Sequence, residues 1–77
     1  MVEIADSARK HGIQDEDIHH AVRHQIRAIR PSVDRTFFIG ADRRSQLLEI
    51  VMLDATQEDP PCVVHAMRLR PKFYSML

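Results

Sequence analysis

A single cysteine, Cys62, occurs in the 77 residues, tryptophan is absent, and there are only two glycines. One thiol cannot build an internal disulfide framework, so a reducing compartment, the cytoplasm, is the expected setting. No apolar run reaches the length of a membrane span, and no basic segment followed by an apolar one opens the chain, so no membrane partner is expected. A glycine-rich phosphate loop is missing, and no Ser-His-Asp arrangement stands out. Neither sign of charge dominates. Eleven basic and eleven acidic residues cancel, which argues against nucleic-acid binding through bulk charge alone.

What is present is segregated. Residues 1–17 carry two basic and five acidic groups and residues 18–44 six and two; residues 45–60 carry none and four, and residues 61–77 three and none. Such segregation permits a basic face on a neutral protein. The length suits one domain, 1–77, near the size at which one hydrophobic core barely suffices. Ile4, Ala5 and Ala8 predict a short helix over Glu3–Lys10, closed by His11-Gly12. Asp15, Glu16 and Asp17 suit a helix N-terminus, and Ile18, Val22, Ile26 and Ile29 extend a second helix from about Asp15 to Ala28, with Pro31 as its stop. Three strands follow, over Arg35–Ile39, Gln46–Asp54 and Cys62–Arg68, and then a short helix or tail. The expected fold is α+β: a three-stranded antiparallel sheet, two N-terminal helices against one face, and a short C-terminal helix or tail.

Candidate chemistry gathers at Val63–Tyr74. His65 lies within an apolar strand, and Arg68, Arg70 and Lys72 follow at every second position, a spacing that points three cations one way in an extended backbone. Phosphate is the anion such a surface suits best. Glu49 interrupts an apolar strand, where a lone carboxylate is costly. A hairpin closed around Ala55–Pro61 brings it near the level of His65, which it would orient as a general base or acid. The same residues also fit a solvated tail, a core histidine and an ion pair at a sheet edge. Arg23 and Arg27 belong to a basic, histidine-rich stripe on the second helix. His20 and His24 lie one helical turn apart, but the glutamate pattern of a metalloprotease and a second thiol are both lacking, so no metal or other cofactor is expected.

Lys10-His11-Gly12-Ile13 between helices, Ile39-Gly40 at a strand end, and His65-Ala66-Met67-Arg68 running through Arg70-Pro71-Lys72-Phe73 together resemble the small BrnT-type ribonuclease toxins of bacterial toxin-antitoxin modules. The resemblance covers nearly the whole chain. It implies a RelE-like fold, metal-independent endoribonuclease activity on RNA, and neutralisation by a tightly bound cognate antitoxin. Of the family's site residues it matches Arg68 and Tyr74; taken with the residues read above, the candidate catalytic residues are His65, Arg68, Glu49 and Tyr74, and the candidate contacts to RNA phosphates are Arg70, Lys72, Arg23 and Arg27. The family's serine-alanine-arginine strand end is matched by Ala66 and Arg68, but Met67 separates them, and no carboxylate follows Asp59. Two other classes fit the residues: a small interaction module docking an acidic partner, and a non-catalytic nucleic-acid binder. With apolar residues on both faces of the central strand, the chain is expected to be covered by an antitoxin or by a second copy of itself, as a homodimer.

Overall fold

Strands β1 (Glu3–Ile4), β2 (Gln25–Ser32), β3 (Arg35–Ala41), β4 (Leu47–Leu53) and β5 (Cys62–Arg68) form one sheet in the computed structural model, which describes residues 1–77. Their order is β1-β5-β4-β3-β2; β1 runs parallel to β5, and all other neighbours are antiparallel. One helix, α1 (Asp15–Arg23), and two 3₁₀ turns, Asp6–Arg9 and Pro71–Met76, complete an α+β fold. No helix is long and apolar enough to cross a membrane.

The expected three-stranded antiparallel sheet with two N-terminal helices is therefore replaced by a five-stranded mixed sheet with one helix. The three strands predicted in the second half of the chain are β3, β4 and β5. The difference lies in the first half, where two segments with helical spacing are used by the sheet.

Glu3–Ile4 pairs with Cys62 and Val63, and the amide of Ala5 donates to the Val63 carbonyl at 2.9 Å. Eight residues nucleate a helix poorly, and β5 offers this segment backbone partners that a helix would forgo. Only Asp6–Arg9 turns helically, and it places Ala8, fully buried, in the core.

The second correction is at the end of α1. His24 leaves the helix at φ −125°, ψ 55°, and Gln25–Ser32 pairs with β3, Ala28 opposite Phe38 and Ile29 opposite Phe37. The run Phe37–Gly40 is buried, so its outer backbone groups need a strand partner more than Ile26 and Ile29 need a helix. Ile26 sits at a register shift and is exposed, so it is not part of the helix's buried stripe. Pro31 is tolerated because β2 is an edge strand, exposed along its whole length.

Each face of the sheet has its own cover. On one side Ala8, Ile18, Ala21, Phe38, Leu48, Ile50, Val63 and Ala66 form the main core, with Val22 packed against it. On the other, Phe37, Ile39 and Leu69 make a smaller cluster capped by Phe73 and Met76 of the C-terminal turn. Arg9 bonds Asp6 within the N-terminal turn at 2.9 Å and ties that turn to the helix through Asp15 at 3.0 and 2.9 Å, and Gly12 takes a left-handed φ of 78°. These contacts fix the course of His11 and Gly12 around the edge of β5.

Helix α1 can approach β3 only because position 40 is glycine. A Cβ at Gly40 would collide with the carbonyl of Ala21. Gly40→Ala is expected to cost about 1–3 kcal/mol by forcing the helix off the sheet, whereas Ala28→Ser on exposed β2 should stay within about 0.5 kcal/mol. Urea denaturation of the two variants checks this, and equal midpoints would contradict the packing described.

Candidate active site

Glu49 is the one buried carboxylate on the sheet face opposite α1, and its side chain is 0% exposed. A buried carboxylate must be supplied with donors, and the fold supplies them from two directions. From β5, His65 Nε2 lies 3.0 Å from Oε1. Register explains the approach: Glu49 faces Met67 and Val51 faces His65, so His65 is the diagonal neighbour of Glu49 on the same face. From the segment after β5, Arg70 donates its backbone N–H at 3.1 Å, its Nε at 3.1 and 3.2 Å and its Nη2 at 2.7 Å. No buried side-chain polar atom is left without a partner.

Burial pushes the Glu49 carboxyl up, but the hydrogen bonds from Arg70 and His65 outweigh it and hold the group below its ordinary 4.5. An ionised Glu49 can only accept, so the His65 nitrogen facing it, Nε2, carries the hydrogen. In the neutral ring the lone pair then lies on Nδ1, which has no hydrogen-bond partner in the protein. The imidazole is about a quarter exposed, at 26%. Its ring meets that of His11 edge-on, with centroids 5.7 Å apart and planes at 77°. An oriented imidazole with a free basic nitrogen, beside a second imidazole, is equipped for proton transfer.

The other predicted residues are distributed differently from a single cationic surface. Strand β5 ends at Arg68, Leu69 is buried, Arg70 is drawn onto Glu49 and Pro71 begins the C-terminal turn, so the three cations diverge. Arg70 is committed to Glu49. Lys72 reaches back over the Phe73 ring, Nζ 5.2 Å from its centroid. Arg68 sits opposite Leu48 and so lies on the α1 side, exposed and without a partner. Tyr74 is exposed and lines a mostly apolar groove with Leu47, Arg68, Leu69 and Leu77, and it makes no hydrogen bond to Glu49. Arg27 donates Nε to the Met76 carbonyl at 3.1 Å, tying β2 to the C-terminal turn, and Arg23 is exposed at the end of α1. His20 and His24 stack at 4.0 Å, each Nδ1 bonded to a backbone carbonyl. Sequence reasoning missed His11, whose role depends on the N-terminal turn packing along β5, and missed the part Arg70 plays.

No protein-family model, curated protein or solved structure matches this chain.

Because Glu49 titrates lower in the folded protein than unfolded, its contribution to stability is complete above pH 4.5 and is lost as pH falls through the folded value. Glu49→Gln is expected to cost about 2 kcal/mol at pH 7, less than the ~3–5 of a fully enclosed pair because Arg70 and His65 both reach solvent. The variant's stability should also fall less steeply than the wild type's below pH 4.5. Urea midpoints across pH 3–7 read both effects (a range of roughly this width spans the carboxylate titration), and parallel profiles would contradict this account.

Proposed function

We propose that this chain is a metal-independent endoribonuclease in which His65, oriented by Glu49, takes the proton of an RNA 2′-hydroxyl. The observation that carries the reading is the buried Glu49 carboxylate holding Nε2 of His65 while Nδ1 stays free beside His11. RNA brings its own nucleophile, so the protein need supply only a base, an acid and charge stabilisation. In the cleavage, the 2′-hydroxyl proton passes to His65 Nδ1 and the 2′-oxygen bonds to phosphorus. The bond from phosphorus to the 5′-oxygen breaks, and that oxygen takes a proton from the imidazolium form of His11. The products are a 2′,3′-cyclic phosphate and a 5′-hydroxyl. Arg70 is a positioning residue here, since its side chain is held on Glu49.

The resemblance to BrnT-type toxins supports the same reading and adds its biology: a bacterial toxin acting in the cytoplasm and silenced by a cognate antitoxin. Exposed Ile26, Ile29 and Val33 on and beside the edge strand β2 give a second reading some footing, an interaction module that docks a partner without chemistry of its own.

Purified protein incubated with single-stranded RNA in EDTA separates the two. Cleavage leaving cyclic phosphate ends is expected, and His65→Ala and His11→Ala should each slow it by about 10²–10⁴-fold, the usual share of a positioned acid or base, while the circular dichroism spectrum is retained. Intact RNA, or the wild-type rate in both variants, would defeat the catalytic reading.

A further inference from the structure

A cleft of about 480 Å³ opens where the Asp42–Gln46 hairpin, the start of α1 and the end of β5 meet, and Ile13 is the one hydrophobic residue in its lining. We propose that this cleft binds the phosphate groups of a single-stranded polynucleotide, with Arg44 and Arg68 as the gripping residues. It deepens the ribonuclease reading, on which it rests for the choice of a polynucleotide over other phosphates.

The hairpin is built to hold its arginines still. Asp42, 7% exposed, accepts the backbone N–H groups of Arg44 and Gln46, each at 2.8 Å, and Ser45 closes the loop with a left-handed φ of 65°. Arg43 then clamps the loop to the helix: its Nε donates to Asp17 at 2.9 Å, its backbone N–H to the same oxygen at 3.1 Å, and its Nη2 to Gln14 at 2.8 Å. The cleft's formal charge is only one positive unit, three arginines against Asp17 and Asp42, but both carboxylates are already engaged. Arg44 and Arg68 are exposed and make no ion pair or side-chain hydrogen bond with the protein. Two free guanidiniums match phosphate oxygens in fork geometry, and because the hairpin backbone is fixed in advance only their side chains must be ordered on binding.

Position argues for a polymer. Gly12 lines the cleft, and the preceding residue, His11, meets His65. A strand whose phosphates lie on Arg44 and Arg68 therefore continues over His11 to the Glu49–His65 pair at the edge of β5.

A fluorescent single-stranded DNA oligonucleotide, which lacks the 2′-hydroxyl and cannot be cut by this chemistry, measures binding alone. The wild type should bind it with a logarithmic salt slope of about −1.4, two contacts on a single strand. Arg44→Gln and Arg68→Gln should each weaken binding about tenfold, the loss of one charge-assisted contact, and together abolish the slope. Arg35→Gln, which removes an equal charge from an exposed and distant site, should leave binding unchanged. Equal losses from Arg35→Gln, no loss from Arg44→Gln and Arg68→Gln, displacement by poly-glutamate as effective as by RNA, or pyrophosphate binding as tight as the oligonucleotide would each overturn the assignment. Oligonucleotide binding lost in the cleft variants while the wild type leaves RNA intact would defeat the ribonuclease reading and keep this one; cleavage with unaltered binding would do the reverse.

Discussion

A carboxylate with no access to water, that of Glu49, is the constraint on which the sheet face opposite α1 depends. Left alone it would be among the costliest groups in a domain of this size. Three pieces of chain meet to satisfy it: β4 carries it, β5 brings His65, and the exit from β5 brings the amide and guanidinium of Arg70. That last contact decides where the chain goes next. With the Arg70 amide pinned and Pro71 at the first position of the following turn, Phe73 is laid against Phe37, their centroids 4.9 Å apart, and the second face gains its cover. The polar requirement of one residue and the apolar closure of the face are thus met by the same turn.

The two faces divide the work. Beneath α1 lies the larger apolar cluster, closed by Gly40 against Ala21, and at its rim stand the hairpin arginines. Opposite lies Glu49 with its donors. His11 and Gly12 pass around the edge of β5 between the two, because β1 pairs only with Cys62 and Val63 and leaves the rest of that edge to the N-terminal turn. A short parallel strand thereby makes room for a histidine beside His65.

The second half of the sequence was readable for a simple reason: its strands are apolar, bounded by polar loops, and joined by hairpins whose register follows from counting. That counting placed Glu49 within one pleat of His65. Ile26 and Ile29 misled because a three-residue spacing is shared by a helix stripe and by an irregular strand with a register shift, and only the buried neighbour β3 decides between them. Arg68, Arg70 and Lys72 misled differently. Their two-residue spacing implies one surface only while the strand continues, and β5 ends at Arg68, after which Leu69 is buried on the second face and Arg70 is drawn onto Glu49. The Arg44 and Arg68 pairing was not legible at all, since it joins a loop and a strand end through a hairpin fixed by Asp42.

The central claim is that Glu49 sets the chemistry of His65 by fixing where its ring hydrogen sits. Nitrogen-15 NMR of the imidazole, recorded at a pH where the ring is neutral, reads this directly. The account predicts His65 as the Nε2–H tautomer with Nδ1 unprotonated in the wild type, and a loss of that preference in Glu49→Gln. A wild-type His65 in the Nδ1–H form, or one whose tautomer is unchanged in the variant, would contradict it.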